Sequence, residues 1–322
     1  MKAPTFLISF LLIVNASLTF GQTESEYLKN NAVNIDLCKP AFQFDEAFYS
    51  NDLFFFGFVH GSEKPQLLDF ELLKDLHRNK VRYYAPEVDF SLAYFLNEYL
   101  ATGDESLLDF AVYYYQFRVP QDASIEFKNK WKEIYELNAK QEKKDKITVI
   151  GTDFAYAHEL SLTHLAFIAP EKTTGVDVVD SLKLYKNLDI KKVNIISGKP
   201  VYKSGRGWDY FFGSGKSTFY ERFVEAYTAD STRILEAFGD RSEDVRHLMN
   251  QAKDVGREQV IYRNFKKLCL PLIAKGEKVY ANFGYFHIHQ DKINGGTPLA
   301  KYIKDNHDCL LYTSDAADDD AC

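Results

Sequence analysis

Two histidines in this 322-residue sequence close the same short spacing, Gly57-Phe-Val-His60 and Gly284-Tyr-Phe-His287. An imidazole titrates near neutrality and either exchanges a proton with water or binds a metal, so the pair is a candidate for acid–base or metal chemistry. A glycine three residues earlier permits a tight turn that presents each ring to a crevice. Carboxylates follow two other apolar runs: Glu87 after Pro86, and Asp153 in Gly151-Thr-Asp153. Arg257 and Asn264, seven apart on a predicted helix, share one face with Asn250. An arginine there points at an anion or a developing oxyanion, or forms a solvent-exposed salt bridge.

Four apolar runs must position these groups: Leu53–Val59, Val81–Ala85, Ile147–Ile150 and Val279–Phe283. Their apolarity is continuous rather than alternating, which predicts parallel strands covered on both faces. Leu68, Leu72 and Leu76 recur at four-residue steps and predict a helix between the first two runs, as in a strand–helix–strand unit. The fold class is therefore α/β, a mostly parallel central sheet with flanking helices. Helical periodicity over about 91–145 reads as an insertion, and the turn-rich stretch at about 165–215 as a small α+β subdomain with one hairpin. Apolar spacing from Leu248 to Leu272 predicts the longest helix, which Pro271 ends or kinks. In open α/β sheets ligands bind beyond the carboxyl ends of the strands. His60, Glu87, Asp153 and His287 all fall there.

Lys2 followed by the apolar run Phe6–Val14 and small or polar residues to Gly21 reads as a secretory signal peptide over 1–21. The run is too short to cross a bilayer, and no later segment is long enough. A periplasmic or extracellular bacterial location follows as an expectation, with the main domain over 22–308. Residues 309–322 lack hydrophobic period and read as a non-native tail on a truncated chain. A net charge of −7 without a basic patch argues against nucleic acid as a partner. Of four cysteines, two lie in that tail, and the distant pair Cys38 and Cys269 does not establish a disulfide. Gly213-Ser-Gly-Lys-Ser-Thr218 imitates the end of a phosphate-binding loop, but Tyr210 stands where that motif needs glycine.

The motifs resemble those of the erythromycin-esterase-like proteins, within the superfamily that also holds Tiki proteases and haem-uptake proteins. The resemblance runs from about Phe54 to Asp308. It is carried by Gly57-Phe-Val-His60-Gly61, by Tyr84-Ala-Pro-Glu87-Val-Asp-Phe90 with Asn97-Glu-Tyr-Leu100, by Ile150-Gly-Thr-Asp153, and by Arg257-Glu258 with Asn264 and Val279–His287. Two departures stand out. Phe58 occupies the position of the family's Glu, and Asn282-Phe283-Gly284 replaces its His-Asn. The resemblance implies His60 as general base, with Glu87 and His287 completing the site and Arg257 in support.

The first reading is a metal-independent hydrolase of an ester or lactone in a small-molecule substrate. His60 takes a proton from water, Glu87 orients the imidazole, and His287 and Arg257 stabilise the oxyanion or protonate the leaving group. No cofactor is required. A second reading makes His60, Glu87 and His287 the ligands of a divalent metal in a Tiki-like peptidase. A third is a non-catalytic protein that binds haem or another ligand.

Overall fold

The computed structural model describes residues 42, 44–122, 124–155, 157–188, 219–250 and 255–307. The apolar runs become β1 (Leu53–Phe58), β2 (Val81–Pro86), β3 (Thr148–Val149) and β4 (Lys278–Gly284). They form one sheet in the order β1-β4-β2-β3, with every pairing parallel. The last strand thus enters between the first two. All carboxyl ends consequently lie along one edge of the sheet, as the α/β reading requires.

The continuous apolarity has the expected cause. One face carries Phe54, Tyr84 and Tyr280 and is covered by α1 (Glu63–Arg78), α2 (Phe90–Thr102), α3 (Glu105–Arg118) and α4 (Ile125–Ala139). The other carries Leu53, Ala85, Val279, Ala281 and Phe283, and packs on Ile261, Phe265, Leu299 and Ile303. A third cluster joins α5 (His158–Ile168), α6 (Phe219–Ala229), α7 (Ser231–Phe238) and α8 (Ser242–Met249). Ile261 and Phe265 lie on α9 (Arg257–Leu268), Leu299 and Ile303 on α10 (Leu299–Asn306). Among the described residues no helix is long and apolar enough to cross a membrane.

Inside the first face, α1 contributes a buried carboxylate, Asp69. Its Oδ2 accepts from Tyr84 Oη (2.5 Å) and Lys130 Nζ (2.7 Å), and its Oδ1 from Tyr280 Oη (2.7 Å). The charge is paired and its acceptors filled, which is what permits its burial. A pair of asparagines closes the free edge of β3. Asn138 Nδ2 donates to the carbonyl of Ile147 (3.0 Å) while its Oδ1 accepts from Ile147 N (2.7 Å). Asn97 does the same at Val149, with both contacts at 2.8 Å. Side-chain amides here replace the neighbouring strand that an edge lacks.

The helix expected from Leu248 to Leu272 is broken. Helix α8 stops at Met249, with Asn250 at its cap, and α9 begins afresh at Arg257 behind an extended Gly256 (φ −63°, ψ 153°). Asn250 therefore shares no helix face with Arg257 and Asn264. Apolar spacing continued across the break because both helices pack on apolar surfaces. Pro271 lies in the first turn of a separate short helix, Leu270–Ile273. Cys269 is a buried free thiol, and Cys38 lies outside the described residues. So do the expected signal segment, the tail and the loop-like 213–218, and residues 189–215 of the expected subdomain; its described part, 165–188, contains helix and no strand.

Asn138→Ala leaves a buried N–H and C=O of Ile147 unpaired, and each such group costs about 1–3 kcal/mol. Urea unfolding is expected to show a fall in stability of that order with an unchanged m-value.

Candidate active site

The sheet brings the four strand-end groups together. In register, Phe58 lies beside Gly284 and Pro86 beside Asn282, so β1, β4 and β2 end almost level. His60 follows β1 by two residues, Glu87 follows β2 directly, and a single 3-10 turn, Tyr285–Ile288, carries His287 beyond β4. Asp153 closes the turn after β3.

Glu87 is only 2% exposed. Its Oε1 accepts from Arg257 Nη2 (2.6 Å) and Arg118 Nη2 (2.8 Å), and its Oε2 from the backbone N–H of Gly284 (2.7 Å). Asp153, fully buried, accepts from the same two guanidinium groups: Oδ1 from Arg257 Nε (3.0 Å), Oδ2 from Arg257 Nη2 (2.8 Å) and Arg118 Nε (3.1 Å). Burial pushes the Asp153 carboxyl up and Arg118 opposes it. Arg118 is the last residue of α3 and Arg257 the first of α9, so helix ends from two directions meet over two carboxylates. Asn264, one further stretch along α9, ties that helix to the carbonyls of Thr152 (3.0 Å) and Asp153 (3.3 Å). Gly151 is held by contact: a Cβ there would lie 2.1 Å from the carbonyl oxygen of Asp89. Asp89 in turn caps α2 through Leu92 N (2.9 Å), and burial raises its carboxyl to about 7.

His60 is held by a residue that the strand-end pattern did not include. Its Nδ1 meets Asp122 Oδ2, and the other oxygen of Asp122 accepts from Gly61 N (2.7 Å). A carboxylate acceptor at Nδ1 requires Nδ1–H there and leaves the lone pair of the neutral ring on Nε2. That nitrogen lies 3.8 Å from Glu87 Oε2, on a side chain 30% exposed. The Asp122 hydrogen bond raises the His60 pKa against the opposing effect of burial, with a further contribution from Glu87. Phe58 sets its ring against the imidazole at 4.9 Å between centroids. Glu87 is thus engaged by two guanidinium groups and a backbone N–H, and Asp122 is the orienting carboxylate.

His287 is the buried counterpart. Its Nδ1 donates to Glu258 Oε2 (2.9 Å), which also accepts from Leu299 N (3.1 Å), while its Nε2 accepts from Arg257 Nη1 (3.1 Å). Burial works against its protonation, and Glu258, Glu87 and Asp153 outweigh burial, so its pKa is raised. Every nitrogen of Arg257 is occupied, by Asp153, Glu87 and His287. The anions it meets are the protein's own buried carboxylates, so it acts as a strut of the site.

The glycines of the two motifs act by close approach rather than by a special turn, since neither Gly57 nor Gly284 has a positive φ. A Cβ on Gly284 would come within 2.6 Å of His60 Nε2 and 3.2 Å of Glu87 Oε2, and one on Gly57 within 2.2 Å of Ile288. Gly284 makes room for His60 of the first motif, and Gly57 for Ile288, which follows the second.

A metal held by His60, Glu87 and His287 does not fit this arrangement. A guanidinium nitrogen already lies on His287 Nε2, and both Glu87 oxygens accept N–H groups. Among the described residues no group of three His, Cys, Asp or Glu is placed to hold a metal ion. Arg118 and Asp122 escaped the sequence reading because they flank a helix–helix turn, which carries no strand-end signal. The break at Val119-Pro120 was the only local hint.

Comparison with solved structures adds a likeness of fold. A succinoglycan biosynthesis protein superposes with a TM-score of 0.56 at 16% identity, over 86% of this chain and 69% of that one. An erythromycin esterase variant, EreC, in its open conformation gives 0.50 at 13%, over 81% of this chain and 68% of that one. The chain shares their fold. It spans about two thirds of their length, and their different descriptions name no common substrate. No family model matches the chain, and no curated protein matches it.

Asp122→Asn is expected to lower the His60 pKa, read from the imidazole resonances in an NMR titration. Because the folded value is raised, the His60–Asp122 contact contributes stability that is fully present below about 6.5, the ordinary imidazole value. That contribution is lost as the pH rises through the folded value. Loss of the carboxylate therefore costs most stability at acid pH.

Proposed function

We propose that this protein is a hydrolase in which His60, oriented by Asp122, activates water against an ester or lactone of a small molecule. One observation carries the reading: a partly exposed imidazole at the sheet's carboxyl edge, with Nδ1 tied to a buried carboxylate and Nε2 3.8 Å from a second. This is the geometry of a base poised by its partner. His60 Nε2 takes a proton from water as the water oxygen bonds to the substrate carbonyl carbon. Asp122 and Glu87 stabilise the imidazolium so formed. Collapse of the tetrahedral intermediate breaks the bond to the alkoxide, and His60 returns the proton to that leaving oxygen. The products are a carboxylic acid and an alcohol, with no net change in the enzyme.

The fold shared with an erythromycin esterase supports this class of reaction. The orienting carboxylate, Asp122, comes from the α3–α4 turn. Export is part of the proposal and rests on Lys2 and the Phe6–Val14 run.

With short-chain p-nitrophenyl esters as probes, His60→Ala is expected to lower kcat by ~10²–10⁴. Asp122→Asn is expected to lower kcat by about 10² or more with KM little changed, since it acts through His60. The wild-type rate rises with pH as His60 loses its proton, with a midpoint above the ordinary imidazole value. Turnover that survives in His60→Ala would sink the assignment.

A further inference from the structure

The edge of the sheet remote from His60 borders a cavity. β1, the strand that leads to His60, is one edge strand and β3 the other. With neighbouring strands about 4.8 Å apart, three steps set them roughly 14 Å from each other. Beside β3 lies a cavity of about 270 Å³. Phe90 and Tyr94 of α2, Val149 and Ile150 of the β3 segment, and Leu268 and Leu272 give it apolar walls. Arg241 and Thr148 are the exposed members of its lining, so it opens on their side. A cavity of roughly 150 Å³ holds benzene, and this one has room for a phenyl ring with a short polar head.

Two polar features of the lining are left incomplete by the fold. His164 on α5 is fully buried, with its ring stacked on Tyr94 at 4.1 Å. Its Nδ1 meets Ser91 Oγ (3.1 Å), and among the described residues its Nε2 has no hydrogen-bond partner. Burial, with Arg241 and His247 adding to it, pushes its pKa down to about 3, so the ring is neutral. Buried polar atoms in native proteins nearly always have partners, and an orphan on a cavity wall is completed by what the cavity holds. The other feature is an ion pair at the opening. Arg241 Nη1 donates to Asp244 Oδ2 (3.0 Å), and the guanidinium lies 6.0 Å from the centroid of the Tyr94 ring. Among the described residues no other hydrogen bond engages either group, which leaves Arg241 Nε and Nη2 as donors and Asp244 Oδ1 as an acceptor. Opposite charges side by side over an apolar cavity match a zwitterion, each end of which meets its opposite. A ligand of one charge is attracted by one partner and repelled by the other.

We infer that this cavity binds a zwitterionic α-amino acid with an aromatic side chain. The ring packs on Phe90 and Tyr94, the carboxylate accepts from Arg241, and the ammonium donates to Asp244. The site is separate from His60 and does not depend on the proposed hydrolysis. Calorimetry with L-phenylalanine, phenethylamine and 3-phenylpropanoate tests it, because the last two keep the ring and each lacks one charge. L-Phenylalanine is expected to bind at least about tenfold more tightly than either, the contribution of one charge-assisted hydrogen bond. Arg241→Ala and Asp244→Asn are each expected to weaken L-phenylalanine by a similar factor. The pair is partly exposed, and such pairs add little to stability, so both variants are expected to fold. Should either unfold, the wild-type series decides. In NMR spectra the ring resonances of His164 are expected to shift on binding while those of His60 stay in place. No saturable binding of L-phenylalanine at millimolar concentration, equal affinity for all three compounds, or undiminished binding to Arg241→Ala overturns the inference. Shifts at His60 in place of His164 overturn it as well.

Discussion

A carboxylate placed at the end of a central strand has to be neutralised where it is buried, and the site is organised around that demand. Glu87 follows β2 with almost no contact with water, and Asp153 comes beside it from the next strand. An isolated ionised carboxylate in such a position is expensive enough that it either takes up a proton or acquires partners. Here the partners are two guanidinium groups that each bridge both carboxylates. Arginine suits this because its planar fork donates along several directions at once, whereas a lysine would offer one point charge. Since Arg118 ends one helix and Arg257 begins another, pairing the carboxylates also fixes where α3 ends and α9 starts. The turn after α3 then carries Asp122 onto His60, and the residue after Arg257, Glu258, holds His287.

The repeated Gly-x-x-His spacing acquires its meaning from the parallel pairing of β1 and β4. Neighbouring strands that end level bring their following residues into contact, and the absence of side chains at Gly57 and Gly284 lets each strand admit what the other delivers. The two histidines are alike in sequence and unlike in surroundings. His60 is partly exposed and held at Nδ1 by Asp122; His287 is buried with both nitrogens occupied. Environment separates their roles, as it does for paired titratable groups generally.

Much of this was legible in the sequence where one physical cause dominated. Strands buried on both faces must be apolar throughout, so Leu53–Phe58, Val81–Pro86 and Lys278–Gly284 were recoverable, and the parallel sheet with them. His60, Glu87, Asp153 and His287 could be placed at one edge because the rule about strand ends is topological and needs no distances. The role of Glu87 was not recoverable, since it depends on Arg118 arriving from a helix end. Asp122 was hidden for the same reason: it lies 62 residues from the histidine it holds. Helix boundaries failed where Gly256 interrupts a continuous apolar spacing, because period reports packing and says little about where a backbone stops.

The central claim is that buried Glu87 anchors the site through Arg118, Arg257 and Gly284 rather than by orienting His60. Denaturant unfolding of Glu87→Gln tests it most directly, since the side chain keeps its shape and loses the charge that both guanidinium groups need. Removing one partner from a buried ionic cluster costs about 3–5 kcal/mol, and a loss of that order is predicted, with His60 still titrating above the ordinary imidazole value through Asp122. A Glu87→Gln protein as stable as the wild type, with the His60 pKa returned to that ordinary value, would contradict the account.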